Sequence, residues 1–137
     1  MNTFEEIEKI KQLKARYFRL MDLKNWEEWK DIFTVDVIGD YGESEQNKAK
    51  GVDELVKIVR TFLSGATTVH HGHMPEIEII DENTAKGIWA MEDIVDHPEF
   101  YLKGYGHYYE NYKKIKGKWK ISAIKLIRLV YDMKSKC

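Results

Sequence analysis

The fold of this chain is decided at one segment, Val69-His70-His71-Gly72-His73-Met74-Pro75-Glu76-Ile77, which we call the histidine segment. Before it, apolar residues recur at intervals of three and four, the spacing of helices that bury one face. After it, apolar and polar residues alternate and β-branched and aromatic residues become frequent, as in antiparallel strands. Helices first and strands afterwards predict an α+β fold.

Three helices are predicted before the histidine segment. The first begins at a capping box formed by Thr3 to Glu6 and runs to about Leu23. The second follows Asn25, a residue type that favours the N-cap position. The third carries an apolar stripe from Val52 to Leu63, and Gly65 lies where a C-terminal glycine cap belongs.

Four strands are predicted after these helices and one short strand between them. The short strand covers Val35 to Tyr41, and the polar residues 42–51 after it predict a loop. The later strands cover Glu76 to Ile80, Thr84 to Val95, Tyr101 to Lys113 and Trp119 to Tyr131. We expect residues 1–137 to form one domain, a cone-shaped barrel of a curved antiparallel sheet covered by the three helices. A cavity is expected between the first helix, the histidine segment and the inner face of the strands.

Composition predicts one soluble globular domain and argues against nucleic acid as a partner. Of the 137 residues, 43% are hydrophobic and 33% are charged, and a chain of this length can bury a hydrophobic core. The net charge of -1 gives no positive field that would attract nucleic acid. Cys137 is the single cysteine, which fits a reducing compartment. Met1 to Glu6 lacks the profile of a signal peptide, and no apolar run approaches the roughly 20 residues of a membrane helix. We therefore predict a cytoplasmic protein without nucleic-acid or membrane partners.

Two charged residues fall on otherwise apolar strand faces. Asp93 alternates with Met91 and Val95, and Arg128 shares a face with Leu126 in the last predicted strand. Burying either charge alone costs several kcal/mol, so each is paired, bound to a ligand or displaced to the surface. A buried ion pair and a lined pocket both remain open.

A further histidine lies among tyrosines in the third of the four later strands. His107 shares one strand face with Tyr105 and Tyr109, while Tyr108 and Tyr112 share the other. These side chains could line a cavity for a ring-shaped ligand. They could equally be ordinary sheet residues, because tyrosine favours half-buried strands.

The histidine segment admits three interpretations. Its three imidazoles are enough ligands for a zinc site, but in an extended segment His71 and His73 point one way and His70 the other. The chain also lacks cysteine pairs and helical His-x-x-x-His spacing, so no metal or cofactor is predicted. The histidines could instead support a sharp turn before Pro75. Alternatively, one is a general base whose second ring nitrogen is held by a carboxylate such as Asp22.

Two motifs together resemble the SnoaL-like branch of the nuclear transport factor 2-like superfamily. They are Tyr17-Phe18-Arg19-Leu20-Met21-Asp22-Leu23-Lys24-Asn25-Trp26 and His70-x-Gly72-His73-x-Pro75-Glu76-Ile77. The similarity continues through Thr84-Ala85-x-Gly87-x-Trp89 to Arg128, and is greatest to bacterial bile acid 7-alpha-dehydratases. Members are α+β cones, usually oligomeric, whose pockets house dehydratases, isomerases and dehydrochlorinases as well as non-catalytic binders.

This resemblance implies a catalytic site. Asp22 and His70 match an aspartate-histidine dyad that scytalone dehydratases and hexachlorocyclohexane dehydrochlorinases use to remove a proton, and Tyr17, Asp93 and Arg128 match further pocket positions. Tyr17 would donate to the substrate carbonyl and Asp93 would protonate the leaving group. Arg128 would anchor an anionic group or neutralise Asp93. Besides Arg128, we expect His107, Trp89 and Tyr105 to bind the substrate.

The implied function is that of a cofactor-independent lyase, most simply a dehydratase. Its substrate would be a hydrophobic cyclic or steroid-like hydroxy-carbonyl compound, and the protein would be a homo-oligomer, either a dimer or a trimer. An isomerase, a dehydrochlorinase, a non-catalytic small-molecule binder and an accessory subunit of another protein remain alternatives.

Overall fold

Three α-helices and six β-strands follow one another in the computed structural model, which describes residues 1–42 and 44–137. The first half contains α1 (Thr3–Asp22), α2 (Trp26–Lys30), β1 (Phe33–Asp40), a 3₁₀ turn (Glu45–Asn47), β2 (Lys48–Lys50) and α3 (Val52–Leu63). The second half contains β3 (Thr67–Ile79), β4 (Thr84–Asp96), β5 (Phe100–Ile115) and β6 (Lys118–Ser135). The predicted α+β organisation is confirmed.

The six strands form one sheet in the order β2-β1-β6-β5-β4-β3. Neighbours from β3 to β6 are antiparallel, as predicted, whereas β1 pairs with β6 in parallel and β2 pairs with β1 antiparallel. The sheet is open, with β2 and β3 at its edges, and the helices lie against its inner face. Among the residues that the structure describes, none of the helices has the length and apolar character needed to cross a bilayer.

The start of α1 differs from the predicted capping box. The N-cap is Asn2, whose side-chain oxygen accepts the backbone N–H of Glu5 at 3.2 Å. Glu6 does not reach back to the helix start, because its carboxylate is buried and accepts the Trp119 Nε1–H at 2.9 Å and the Lys114 ammonium at 2.6 Å. The carboxylate thus ties α1 to the start of β6 instead of capping the helix.

Two loop predictions are corrected by the strands. Residues 42–51 include β2, whose one buried side chain, Ala49, is too little apolar content for a visible alternation. The histidine segment is not a turn but part of β3, with a register irregularity between His73 and Glu76, where Met74 has a φ of 45°. Proline donates no backbone hydrogen bond, so Pro75 suits this interruption of the ladder. The alternative in which the histidines support a sharp turn before Pro75 is wrong for His71 and His73, which lie in the regularly paired part of β3.

The core lies between the buried faces of the helices and the inner face of the sheet. Ile10, Leu13 and Tyr17 of α1 belong to the same buried cluster as Leu55 of α3 and Trp89 of β4. Close packing of α1 on β3 depends on Gly72, since a Cβ there would lie 2.7–2.8 Å from the Phe18 ring. The approach brings the end of α1 beside the histidine segment.

Candidate active site

Asp22 and His70 are in direct contact, although 48 positions separate them in the chain. Asp22 is the last residue of α1, and its Oδ1 lies 2.7 Å from His70 Nδ1 while its Oδ2 accepts the backbone N–H of His70 at 2.9 Å. A carboxylate only accepts, so Nδ1 carries the proton and Nε2 is left with a free lone pair. One carboxylate therefore fixes both the position and the tautomer of a ring that is only 7% exposed.

A second chain of hydrogen bonds orients Asp22. The hydroxyl of Thr68 donates to Asp22 Oδ1 at 2.9 Å, and Lys24 Nζ donates to Thr68 Oγ1 at 3.0 Å. Partial burial lowers the pKa of Lys24 from its usual value. Sequence reasoning missed Thr68, although it lies two residues before His70 and so on the same strand face.

The buried Asp93 and the partly buried Arg128 form an ion pair on the other side of the imidazole. Arg128 donates from Nη1 and Nη2 to the two oxygens of Asp93, each at 2.8 Å. His70 Nε2 lies 3.6 Å from Asp93 Oδ2, too far for a direct hydrogen bond. Both oxygens of Asp93 are thus engaged as acceptors from the guanidinium. The ion pair was one of the two alternatives left open by the sequence.

Gly104 allows this ion pair to form. β5 lies between β4 and β6, and Gly104 of β5 is the register partner of Asp93 on one side and of Tyr131 on the other. A Cβ at Gly104 would overlap the Arg128 guanidinium and lie 2.5 Å from Asp93 Oδ1. The two charged side chains therefore meet across a strand that has no side chain at the crossing point.

Tyrosine hydroxyls form the remaining polar part of the site. The hydroxyls of Tyr17 and Tyr41 are 2.8 Å apart, and either can be the donor. Burial raises the pKa of Tyr17, Tyr41 and Tyr108 above the usual value for a phenol, so all three stay protonated near neutral pH. Whichever hydroxyl accepts within the Tyr17–Tyr41 pair keeps its own proton for a ligand.

These groups surround a small cavity of about 130 Å³. The polar lining is Tyr17, Tyr41, Asn47, His70, Asp93, Tyr108, Arg128 and Tyr131. The apolar lining is Met21, Ile58, Val59, Phe62, Leu63, Val95 and Leu126, so α3 contributes a wall that the sequence did not predict. Asp22 lies behind His70 and outside the lining. The cavity occupies the predicted place between α1, the histidine segment and the inner sheet face.

Three predicted substrate-binding residues are not at this cavity. Tyr105 and His107 belong to the outer face of β5, because the alternate residues Tyr108 and Glu110 are the buried ones. Trp89 is buried on the inner side but donates its Nε1–H to the Tyr112 hydroxyl at 3.0 Å and does not line the cavity. Alternation separates the two faces of a strand, but it cannot say which faces inward when both carry aromatic residues.

Comparison with known proteins identifies the family. Residues 2–125 match the profile of the SnoaL-like domain. The chain belongs to the SnoaL-like family. The match covers every residue that lines the cavity except Leu126, Arg128 and Tyr131.

Solved structures with the same fold include a dehydrochlorinase and a protein described as a candidate dehydratase. A protein from Novosphingobium aromaticivorans described as a candidate scytalone dehydratase has a TM-score of 0.87 at 21% identity, covering 94% of this chain and 87% of its own. The hexachlorocyclohexane dehydrochlorinase LinA-type3 from Novosphingobium barchaimii has a TM-score of 0.82 at 14% identity, with 98% and 93% covered. A Mycobacterium tuberculosis protein of unknown function has a TM-score of 0.79 at 23% identity, with 91% and 72% covered. At such identities the likeness establishes the fold.

A buried lysine beneath the site escaped the sequence analysis of this SnoaL-like chain. Lys14 is fully buried, pairs with Glu110, and places its ammonium 3.6 Å from the Tyr17 ring centre and 3.7 Å from that of Tyr108. Burial lowers the pKa of Lys14 to about 8. Glu110 also accepts the hydroxyl of Tyr112, which completes a buried polar network. One feature of the sequence could have indicated that Lys14 is buried: it lies on the apolar stripe of α1, one turn from Ile10 and one turn from Tyr17.

Replacing Gly104 with alanine is expected to lower the free energy of unfolding by about 1–3 kcal/mol, because the added methyl displaces the Arg128 guanidinium from Asp93. Urea unfolding measures this change. In an Arg128→Ala background the same glycine change should cost clearly less, since the overlap with the guanidinium is gone and the Asp93 carboxylate, no longer held by Arg128, can turn away from the added methyl. Equal costs in the two backgrounds would show that the contact with Arg128 is not the cause.

High pH is expected to destabilise this SnoaL-like domain steeply. Burial raises the pKa of Tyr17, Tyr41, Tyr108 and Tyr112, so above pH ~10 only the unfolded chain forms tyrosinate. Each tyrosine then lowers the free energy of unfolding by about 1.4 kcal/mol per pH unit. Lys14 has the opposite effect, because burial lowers its pKa from 10.5 to about 8 in the folded chain. Between these two pH values the unfolded chain binds the extra proton, so the contribution of Lys14 to the free energy of unfolding increases with pH.

Urea unfolding between pH 8 and 11.5 measures this alkaline loss. Tyr41→Phe should reduce the slope above pH ~10 by about a quarter, because one of four buried phenols is removed. Tyr109→Phe is the matched control, since Tyr109 is 41% exposed. Identical slopes in wild type and Tyr41→Phe would contradict the prediction.

Proposed function

We propose that this SnoaL-like protein is a cofactor-independent lyase that removes water from a compact cyclic hydroxy-carbonyl compound. One observation carries the proposal: Asp22 holds both the Nδ1–H and the backbone N–H of His70, which leaves Nε2 as a positioned base. Positioned proton transfer of this kind contributes about 10²–10⁴-fold to a rate. The fold relatives named for dehydratase and dehydrochlorinase activities support an enzyme of this class.

In the proposed reaction, His70 Nε2 takes a proton from the carbon beside the carbonyl. The electron pair of that C–H bond forms the new double bond as the bond from the neighbouring carbon to the hydroxyl breaks. The proton on Nε2 then passes to the departing hydroxide, so one water leaves and the imidazole returns to its neutral form. The Tyr17–Tyr41 hydroxyl pair donates to the carbonyl oxygen as it gains enolate character.

Asp93 and Arg128 act as an electrostatic pair in this proposal. While Nε2 carries the proton, the imidazolium has Asp22 at 2.7 Å on one side and Asp93 at 3.6 Å on the other, and both carboxylates stabilise its charge. Arg128 holds Asp93 in place through two hydrogen bonds. We therefore assign Arg128 to neutralising Asp93, and we move the transfer of the leaving-group proton from Asp93 to His70.

The size of the cavity favours a small substrate within the predicted class. Its volume of about 130 Å³ lies below the usual range of roughly 300–1,000 Å³ for ligand pockets. A single ring with short substituents fits this space better than a steroid skeleton. Apolar side chains of α3 would pack on the ring while the hydroxyl and carbonyl groups face His70 and the tyrosine pair.

The test is a screen of compact cyclic β-hydroxy ketones in deuterated water, with loss of water and uptake of deuterium followed by mass spectrometry. Wild type should catalyse both on at least one compound, and His70→Ala should lose both. His107→Ala is the matched control, because this histidine lies on the outer face of β5. A His70→Ala variant that turns the compound over at the wild-type rate would refute the proposed base.

The same screen separates the alternatives. An isomerase begins with the same proton removal but returns the proton elsewhere on the substrate, giving deuterium uptake without loss of water. A dehydrochlorinase would act on chlorinated rings and release chloride. A non-catalytic binder would retain ligand affinity in His70→Ala and show no turnover in either form.

A further inference from the structure

The outer face of the sheet carries a second cluster of titratable side chains, separate from the cavity. His71 and His73 of β3 point away from the cavity, on the side opposite His70, and Glu92 is the register partner of His71 on β4. Glu92 Oε1 lies 3.5 Å from His71 Nδ1 and 3.4 Å from His73 Nε2. Among the residues that the structure describes, these three form the one group of potential ligands whose atoms all lie within 4.8 Å of one another.

We propose that His71, His73 and Glu92 form a binding site for a divalent transition-metal ion of the Zn²⁺ type. Two imidazoles and one carboxylate are a ligand set that Zn²⁺ accepts, with a fourth position left to solvent. Imidazole ligands favour Zn²⁺, Ni²⁺ and Cu²⁺ over Mg²⁺ and Ca²⁺, which prefer oxygen. The chemistry of the three side chains therefore selects the class of ion.

The distances match tetrahedral coordination. Metal bonds of about 2.0–2.2 Å hold the ligand atoms of a tetrahedral site about 3.3–3.6 Å apart. The two distances to Glu92 Oε1, 3.4 and 3.5 Å, lie in that range. The centres of the His71 and His73 rings are 6.1 Å apart, and the ring planes make an angle of 79°. Rotation of the two side chains is enough to bring their ligand nitrogens to the remaining tetrahedral separation. These side chains are 59%, 47% and 43% exposed, so rotation meets little obstruction.

The expectation of no metal rested on the opposite directions of His70 and of His71 and His73, and on missing cysteine pairs and helical His-x-x-x-His spacing; it did not consider Glu92 of the neighbouring strand as a ligand. The strand separates the histidines: His70 faces the cavity and pairs with Asp93 in the register, while His71 and Glu92 are the adjacent pair facing outward. A metal on the outer face would therefore clamp β3 to β4 beside the His70–Asp93 pair. Because the metal ion would bind the folded chain and not the unfolded chain, it would also raise the melting temperature.

The test is calorimetric titration of the tag-free chain with ZnCl₂, in a Cys137→Ser background that removes the exposed thiol. We expect one Zn²⁺ per chain and no binding of Mg²⁺. Loss of a hydrogen bond that supports a metal ligand lowers metal affinity by roughly 10–100-fold. We expect loss of a ligand itself to weaken Zn²⁺ binding at least as much in each of the variants His71→Gln, His73→Gln and Glu92→Gln. The Zn²⁺-dependent rise in melting temperature should be lost in parallel.

Two further variants locate the ion. His107→Gln removes another histidine of the outer face and should leave Zn²⁺ affinity unchanged. His70→Ala removes the cavity histidine and should also leave it unchanged. The proposal is overturned if wild type binds no Zn²⁺, if the three cluster variants bind as wild type does, or if His70→Ala is the variant that abolishes binding.

Discussion

Replacing Asp22 with asparagine is expected to lower the proposed elimination rate by about 10²–10⁴-fold while the protein stays folded. Asp22 accepts two hydrogen bonds from His70, one from the ring Nδ1–H and one from the backbone N–H. Asparagine has only one oxygen for these two donors. If that oxygen accepts the backbone N–H, its amide group donates to Nδ1, the ring proton moves to Nε2, and the base is lost.

A matched variant separates this tautomer effect from a general disturbance of the site. Thr68→Val removes the hydroxyl that donates to Asp22 Oδ1 but leaves both contacts between Asp22 and His70 available. We expect Thr68→Val to lower the rate much less than Asp22→Asn. Steady-state kinetics on a compound found in the substrate screen, with circular dichroism as a check on folding, makes the comparison. Similar losses in both variants would mean that Asp22 acts through local packing and not through the tautomer of His70.

Replacing Lys14 with methionine is expected to lower the free energy of unfolding by about 3–5 kcal/mol. Lys14 and Glu110 are both fully buried at the side chain, and without the ammonium the carboxylate of Glu110 is a buried charge with no counterion. Methionine fills a similar volume, so the loss is electrostatic and does not come from a cavity. Domains are stable by only about 5–15 kcal/mol, so a fall in melting temperature on the order of 10–20 °C should follow.

The double variant Lys14→Met with Glu110→Gln is the control for this effect. It removes both charges while the glutamine oxygen can still accept the hydroxyl of Tyr112, so most of the lost stability should return. Thermal and urea unfolding of wild type, both single variants and the double variant form a complete cycle. A double variant no more stable than Lys14→Met alone would contradict the assignment of the loss to an unpaired carboxylate.

Local patterns in the sequence predicted which side chains share a face but not which of them meet. Alternation placed Asp93 beside Met91 and Arg128 beside Leu126, and the structure has the same faces. Their contact depends on the strand order β6-β5-β4 and on the missing side chain of Gly104, neither of which a pattern within one strand contains. The pairing of Asp22 with His70 was likewise available only through family resemblance.

Lys14 and His107 illustrate two ways in which pattern reasoning failed. A lysine on a helical stripe is normally solvated, so its burial becomes visible only when Glu110 is found opposite it. His107 was assigned to a ligand pocket because aromatic residues surround it, yet the inner face of β5 is the one that carries Tyr108 and Tyr112. Both errors concern long-range partners, which one strand or helix does not specify.

The interruption of β3 at Met74 and Pro75 also bears on how copies of this chain can associate. An open sheet has two edges whose unpaired backbone groups can template a strand from another molecule. One edge here is β2, only three residues long, and the other is β3, whose ladder is broken between His73 and Glu76. Before that break the β3 edge is regular only over Thr67 to His73. The predicted homo-oligomer would then assemble through faces of the sheet or helices and not by extending the sheet from one copy to the next.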